Sequence, residues 1–312
     1  QNSSGIKIAA IAKKLKLNVY GVTVLLEAAA NAGVVEYVAT DKVVLTKTGY
    51  FIALDKMTEV NINFVNDVCY GGVKYLTESI KSGNPIGLKT LGKWKTIYEG
   101  LSHLPDKIKK SWFEFDHYYS DGAFLAALKI VFENKPKYIF DMGGNTGKWA
   151  FACCRYNNDV RIKILDLPKQ ITIAKKNTKA ENLIGRIDFL PIDILDRNQK
   201  IPKGADAIWM CQFLDCFSSD EIISVLKNAR QASDKNTNIY ILEPFTDNQK
   251  FDAAGYCLTG TSLYFTAIAN GNSKMYSIKT MKKLVAQAEL KIIKTFPLIE
   301  NSYHTILKCR KT

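Results

Sequence analysis

Residues 138–243 contain five short runs rich in β-branched and aromatic residues, and each run is followed by a helical segment or by a loop that leads to one. Such alternation is typical of parallel sheets, because parallel strands need crossover connections whose helices cover both faces. The pattern predicts an α/β fold with a doubly wound, mostly parallel, Rossmann-like sheet. The predicted strands are 138–141, 162–166, 187–190, 207–210 and 239–243, and the runs 291–296 and 303–309 are predicted to pair as a terminal hairpin.

The first third of the chain has a different pattern. Residues 6–15 read as one amphipathic helix, and Asn18 opens a second helix that stops at Gly33. Two β-rich runs then flank a turn at Asp41, which predicts a winged helix. Helix is expected again over 61–81, and the stretch 83–105, which contains glycine and proline, is expected to be a connector. We therefore divide the chain into a mainly α winged-helix domain over 1–100 and an α/β domain over 101–312.

Charge and cysteine content limit the classes of function. The net charge is +13, yet it is spread along the chain, and only six of the 43 basic residues are the arginines that base recognition favours. Seven cysteines without a C-x-x-C pair fit neither a disulfide framework nor a zinc site, so we expect a cytoplasmic protein without a bound metal. No apolar run is long enough for a membrane span. The start has no signal-peptide pattern and no initiator Met, so we expect the chain to begin part-way into its gene product.

A glycine-rich turn follows the first predicted strand. The sequence there is Asp141-Met142-Gly143-Gly144-Asn145-Thr146-Gly147, and a helix begins at Lys148. Glycines let the backbone approach a ligand, and a helix N-terminus offers free N–H groups. A dinucleotide fingerprint requires a glycine where Met142 stands. The turn therefore predicts a nucleotide-like ligand other than a dinucleotide.

Acidic residues follow the next two strands. Asp166 ends the second strand, where a carboxylate accepts both hydroxyls of a ribose, and Leu167 comes after it. Asp193 lies just beyond the third strand, placed to accept a hydrogen bond from an exocyclic adenine amine. Because the carboxyl ends of parallel strands meet in one crevice, these acids and the glycine turn favour an adenosine ligand without a phosphate clamp.

These motifs resemble, in order and spacing, the S-adenosylmethionine (SAM) motifs of class I methyltransferases, and the whole chain resembles their small-molecule O-methyltransferase branch. The resemblance implies an N-terminal winged-helix dimerisation domain, a homodimer, SAM as cofactor and a small, phenolic or enolic methyl acceptor. It implies no nucleic-acid or membrane partner. Its cofactor-binding residues map onto Asp141, Gly143, Gly144, Gly147, Asp166, Leu167, Asp193, Ile194 and Gln212.

The sequence departs from the family at the base that removes the acceptor's proton. Where the family has a catalytic His after the fourth strand, this chain has Asp215, and Cys211 stands where the family has a Lys. One of the family's acids that flank the His is matched by Glu243. We predict Asp215 as the base, assisted by Glu243, ahead of His117 and His304, which also lie near the expected pocket.

Two other functions are consistent with parts of the sequence. The departures at Asp215 and Cys211 are compatible with a degenerate protein that binds SAM without catalysis. The winged helix and the positive charge suggest a DNA-binding regulator, but residues 18–32, the would-be recognition helix, contain no Lys or Arg and one acid, Glu27. Transfer to nitrogen instead of oxygen also stays open, and the acceptor is not identified by these residues.

Overall fold

The computed structural model describes residues 4–298 and 302–312. The chain forms two compact units, Gln1–Val65 and Asn66–Thr312. The division falls earlier than the domain boundary at residue 100 expected from the sequence.

The first unit begins with a short strand that the sequence did not suggest. Its elements are β1 (Ile6–Lys7), α1 (Ile8–Leu15), α2 (Val19–Asn31), β2 (Val35–Ala39), β3 (Lys42–Leu45), α3 (Lys47–Leu54) and α4 (Lys56–Phe64). Asn18 caps α2 by accepting a hydrogen bond from the Tyr20 N–H at 2.8 Å, as its position predicted. The strands form an antiparallel sheet in the order β1-β3-β2. The two predicted helices and the hairpin are confirmed.

The helix predicted over 61–81 is confirmed, although it is not one regular α-helix. The segment is broken by a π-helical turn at Val65–Cys69 and continues as α5 (Tyr70–Val73) and α6 (Leu76–Ser82). The stretch beyond it contains a 3₁₀ helix at Ile86–Thr90, α7 (Ile97–Gly100) and a 3₁₀ helix at Leu101–His103.

The predicted connector over 83–105 is a packed part of the second unit. Its apolar residues Leu88, Ile97 and Leu101 are almost fully buried. A Cβ on Gly87 would lie 2.3 Å from the Gly72 carbonyl oxygen and 2.7 Å from that of Ala267. The glycines therefore allow close packing of backbone, and this requirement produces the same composition as a flexible linker.

The remaining elements of the second unit alternate as the sequence predicted. They are α8 (Asp106–Asp121), α9 (Phe124–Phe132), β4 (Tyr138–Met142), α10 (Lys148–Tyr156), β5 (Arg161–Asp166), α11 (Pro168–Ala180), β6 (Ile187–Pro191), β7 (Ala207–Cys211), a 3₁₀ helix (Leu214–Cys216), α12 (Ser219–Ala232), β8 (Asn238–Glu243), α13 (Asp252–Tyr264), a π-helical turn (Phe265–Ala269), α14 (Ile278–Gln287), β9 (Leu290–Pro297) and β10 (Thr305–Lys311).

These strands form one seven-stranded sheet in the order β6-β5-β4-β7-β8-β10-β9. Strands β4 to β8 are parallel, whereas β10 runs antiparallel to both of its neighbours. The predicted α/β fold and terminal hairpin are confirmed. The strand order reverses between β4 and β7, so the topological switch point lies beyond the ends of these two strands.

The two faces of the sheet form two separate hydrophobic cores. Along β7, Ile208 and Met210 pack with α12 and α14 on one face, and Ala207 and Trp209 pack with α9 and α10 on the other. Trp209 stacks on Trp149 of α10 with ring centroids 4.1 Å apart. Helices on both faces explain why these strands are almost continuously apolar and why their polar residues are concentrated at the strand ends. No helix within the described residues is long and apolar enough to cross a membrane.

Candidate active site

The glycine turn connects β4 to α10 at the switch point. Gly143 and Gly147 have φ of 70° and 94°, a region that residues with a Cβ rarely occupy. A Cβ on Gly143 would lie 2.2 Å from the Phe213 ring, and one on Gly144 would lie 2.6 Å from Oδ2 of Asp141. All three glycines are therefore required by the local structure, because a side chain at any of them would be strained or would collide with a packed neighbour.

Asp141 lies near the end of β4, beneath this turn, and is almost fully buried. Its Oδ2 has no hydrogen-bond partner among the residues described. Burial, with a smaller contribution from Asp166, raises the pKa of Asp141 to about 8. A buried carboxyl oxygen without a partner is costly, so this atom is suited to a ligand group that donates a hydrogen bond.

Asp166 ends β5, and both of its carboxylate oxygens accept backbone hydrogen bonds. The Asn145 N–H donates to Oδ2 at 2.8 Å, and the Leu167 N–H donates to Oδ1 at 2.7 Å. Burial raises the pKa of Asp166 to about 6, and these two hydrogen bonds oppose the rise. The carboxylate is thus held in one orientation beside the turn.

Asp193 and Ile194 lie beyond the end of β6. The Asp193 side chain is exposed and accepts a hydrogen bond from the Leu195 N–H at 3.0 Å, while Ile194 is half-buried against the core. The preceding residue, Ile192, donates its N–H to the Asp166 carbonyl at 2.9 Å. This hydrogen bond fixes the turn that carries Asp193 next to the turn that carries Asp166.

Gln212 is the first residue after β7, on the other side of the switch point. Its φ is 45°, and its N–H donates to the Leu242 carbonyl at 2.9 Å. Its Oε1 is buried, and no partner for it lies within residues 4–298 and 302–312. Gln212 and Asp141 therefore each present an unsatisfied oxygen at the ends of neighbouring strands, β7 and β4.

Asp215 and Glu243 are brought together by β7 and β8. Glu243 is the last residue of β8, and its Oε1 accepts hydrogen bonds from the N–H groups of Phe213 at 3.0 Å and Leu214 at 2.8 Å. These bonds hold the 3₁₀ turn that carries Asp215, and both carboxyls border one narrow gap with Tyr276 that has no room for a water molecule. The sequence predicted this pairing.

The two carboxyls have an environment that favours their protonated forms. Only 6% of Asp215 and 2% of Glu243 is exposed. Burial raises the pKa of Asp215 to about 6. Burial, followed by repulsion from Asp215, also raises the pKa of Glu243. Because repulsion from Asp215 adds to the effect of burial on Glu243, Glu243 is suited to be the protonated member of the pair while Asp215 is ionised.

His117 lies on α8 and contacts the glycine turn. Its Nε2 is 3.4 Å from the Thr146 hydroxyl, and its Nδ1 is 3.7 Å from Oδ2 of Asp116. Burial, helped by the charge of Lys148, lowers the pKa of His117 to about 4, so the imidazole is neutral near pH 7. The structure thus places His117 against the predicted cofactor turn.

His304 precedes β10 and is fully buried. It contacts the Ser302 hydroxyl through Nδ1, and burial lowers its pKa to about 3. Its Nε2 has no partner in the described part of the chain. Within the described residues, the hydrogen bonds of His304 lie in its own turn and do not include Asp215 or Glu243, so the structure does not bring the four predicted catalytic residues into one cluster.

Sequence reasoning missed two polar residues near Asp215. Asp116 of α8 has a pKa raised to about 7, first by burial and then by repulsion from Asp215. The Tyr98 hydroxyl is buried next to Cys216, and its pKa is raised first by burial and then by nearby groups that include Cys216 and Asp215. Both residues lie on helices whose side-chain directions are set by tertiary packing, so their spacing along the chain gave no sign of the site.

A family model described as an O-methyltransferase domain matches residues 123–289. The L-tyrosine C(3)-methyltransferase of Streptomyces lavendulae is 22% identical over 228 residues, which are 73% of this chain and 61% of that enzyme. The desmethylxanthohumol 6'-O-methyltransferase of Humulus lupulus is 33% identical over 136 residues, 42% of this chain and 36% of that enzyme. The matched regions thus span less than two thirds of these curated relatives.

Solved structures match over nearly the whole chain. The mitomycin 7-O-methyltransferase MmcR has a TM-score of 0.75 at 15% identity, with 100% of this chain and 89% of that chain covered. NcsB1, an O-methyltransferase from neocarzinostatin biosynthesis solved with SAM and 2-hydroxy-5-methyl naphthoic acid, has a TM-score of 0.71 at 19% identity, with 98% and 89% covered. At these identities the likeness shows the fold.

Proposed function

The chain belongs to the O-methyltransferase domain family, and from this membership we propose that it transfers the methyl group of SAM to a small aromatic acceptor. The observation that carries the proposal is the pairing of two half-sites at one switch point. A glycine turn and Asp166 form a cofactor side, and Asp215 with Glu243 forms an acceptor side next to it. The chain thus contains both a place for the methyl donor and a base for the acceptor.

The residues on the cofactor side fit SAM. The glycine turn holds Asp166 through the Asn145 N–H, and both carboxylate oxygens of Asp166 are oriented, as a group that accepts from ribose hydroxyls requires. The unsatisfied oxygens of Asp141 and Gln212 are acceptors suited to donors such as the ammonium group of SAM. When bound, SAM supplies an electrophilic methyl group, and the protein's part is alignment and removal of one proton.

Asp215 is the base in this proposal. An ordinary Asp with a pKa of ~3.9 is mismatched with a phenol of pKa ~10 by about 6 units, or about 8 kcal/mol for complete proton transfer. Burial raises the pKa of Asp215 to about 6. The mismatch then falls to about 4 units, or about 5 kcal/mol. Proton removal that accompanies methyl transfer needs less than complete transfer to the base, so a buried Asp serves where the resemblance predicted a His.

The experiment incubates the protein with SAM that carries a deuterated methyl group and a panel of phenols, quinols and hydroxylated polyenes. Mass spectrometry should detect a product with one labelled methyl group, and Asp215→Asn should form it much more slowly. SAM binding without transfer to any acceptor would instead support the degenerate alternative. Absence of SAM binding would contradict the proposal.

A second candidate is methyl transfer to a ring carbon beside a phenolic hydroxyl. It is favoured by the tyrosine C(3)-methyltransferase, which aligns with 73% of this chain, together with the acid at position 215. In that reaction the ring carbon bonds to the methyl group as the methyl–sulfur bond breaks, and the same carbon then loses its proton to a base. Because that proton loss restores aromaticity, a carboxylate is strong enough for it. A phenol deuterated at both ortho positions should lose one deuterium if carbon is the acceptor and none if oxygen is.

We also propose that the chain acts as a cytoplasmic homodimer joined through residues 1–100, without nucleic-acid partners. Support comes from α2, which has no Lys or Arg and exposes Tyr20 and Leu25. A helix that exposes apolar side chains and has one acid but no basic residue suits a protein interface better than a DNA groove, where phosphate contacts need basic residues.

A further inference from the structure

Asn145 is an unusual residue for its place in the glycine turn. Its φ is 49°, in the left-handed region, where a residue with a side chain is less stable than glycine. Asn tolerates this conformation better than most residues, yet glycine at neighbouring positions of the same turn shows the less strained choice. Strained backbone conformations are concentrated at functional sites, so the Asn145 side chain is a candidate for a functional role.

Asn145 makes one hydrogen bond to the cofactor side and one to Asp116, which lies close enough to Asp215 on the acceptor side for their charges to repel. Its backbone N–H donates to Oδ2 of Asp166 at 2.8 Å, on the cofactor side. Its side-chain Nδ2 donates to Oδ2 of Asp116 at 3.3 Å, on α8. Because both donors belong to one residue with a constrained backbone, a shift of one changes the position of the other.

The neighbouring residues of the turn also contact α8. The Thr146 hydroxyl is 3.4 Å from His117 Nε2, and Lys148 Nζ is 2.6 Å from Oδ2 of Asp121. Three residues of the turn region therefore contact three residues on one helix. Helix α8 is fixed elsewhere as well, because Trp112 donates to the Tyr264 hydroxyl at 2.9 Å.

We propose that Asn145 is a positioning residue that couples the cofactor side to the acceptor side, by holding Asp166 with its backbone and Asp116 with its side chain. The inference rests on the proposed function, since it needs a ligand at Asp166. A ligand that fixes Asp166 and the turn also fixes the Asn145 amide as a donor to Asp116, and this donor favours the ionised carboxylate. Binding of the cofactor and ionisation of Asp116 then favour each other.

Several charged or titratable groups act on Asp116, and the test must separate Asn145 from them. They are His117, Asp121, Lys148, Cys211, Asp215 and Tyr264. The Asn145→Gly substitution leaves all of them in place, keeps the backbone conformation accessible and removes only the side-chain amide. Asp116→Asn breaks the same contact from the other side and serves as a second variant.

The probe is S-adenosylhomocysteine, the demethylated product of SAM, titrated calorimetrically at about pH 6 and about pH 8. The unsubstituted protein should bind it at least about 5-fold more tightly at the higher pH, the low end of ordinary coupling between two sites. Asn145→Gly and Asp116→Asn should both reduce the ratio between the affinities at about pH 8 and about pH 6. Asp166 is present in all variants, so its own contribution to the pH dependence of binding stays equal. The difference in pH dependence between the variants and the unsubstituted protein therefore measures the coupling between the cofactor and Asp116.

Asn182→Gly is the matched control. Asn182 is also left-handed, with a φ of 55°, but it is exposed and far along the chain from the turn. It should keep the pH dependence of the unsubstituted protein. Asn145→Gly with an unchanged pH-dependent gain would overturn the coupling while the proposed function stands. Absence of binding by the unsubstituted protein would overturn both.

Discussion

The surroundings of Asp215 make its carboxylate a stronger base than an exposed Asp. Burial raises its pKa to about 6, and Glu243 holds the turn beneath it. Asp215→Asn keeps the shape and removes the base, so kcat should fall by about 10²- to 10⁴-fold with nearly unchanged SAM affinity. The rate should decline as pH falls through about 6, because the base becomes protonated there. A pH–rate profile for both proteins tests this, and wild-type kcat in Asp215→Asn would exclude Asp215 as the base.

Glu243 has a structural task that can be separated from its charge. Its Oε1 accepts from two backbone N–H groups, those of Phe213 and Leu214. The carbonyl of a glutamine can accept the same bonds, so Glu243→Gln should fold with nearly normal stability. Glu243→Ala should lose about 1–3 kcal/mol for each buried N–H left without an acceptor. Urea unfolding compares the two variants, and equal stability of Gln and Ala would contradict this role.

At the scale of elements, the βα turn after β4 has no room for side chains at its centre. A Cβ on Gly144 would lie 2.6 Å from Asp141 Oδ2 and 2.9 Å from Ile164 Cγ2. Gly144→Ala should cost about 1–3 kcal/mol of stability through overpacking and should weaken SAM binding. Gly260→Ala is the control, because nothing lies within 4 Å of its added Cβ. Equal unfolding temperatures for Gly144→Ala and Gly260→Ala would contradict the conclusion that the turn has no room for a side chain at position 144.

Local patterns explain how much of the fold and the site was predictable. The strands and the glycine turn have signatures that extend over a few residues, and Asp166 was predicted because it directly ends a strand. Asp116 was not, because its contact with Asn145 joins two elements 29 positions apart and depends on the rotation of α8. The segment around Gly87 was misread as a linker, since close backbone packing and flexibility both select glycine.

At the scale of the whole molecule, the oligomeric state directly tests the proposed role of residues 1–100 in dimerisation. Tyr20 and Leu25 of α2 are 78% and 65% exposed in the single chain. Light scattering should give the mass of two chains, and Leu25→Lys should shift the mass toward one by placing a charge in an apolar contact. Glu27→Gln serves as a control on the same helix. A monomer, or sequence-selective binding to duplex DNA, would refute the assignment.

The central claim is that the crevice beside Asp166 binds SAM, and calorimetric titration of SAM tests it most directly. The protein should bind one SAM per chain, and Asp166→Ala should weaken binding by roughly 1.5 to 3 kcal/mol, the range for a hydrogen bond to a charged group. Asp159→Ala is the matched control, because Asp159 is exposed just before the opposite end of β5 and pairs with Lys137 at 3.6 Å. The Asp159→Ala variant should bind SAM with the affinity of the unsubstituted protein. Unchanged SAM affinity in Asp166→Ala, or no binding by the unsubstituted protein, would contradict the account.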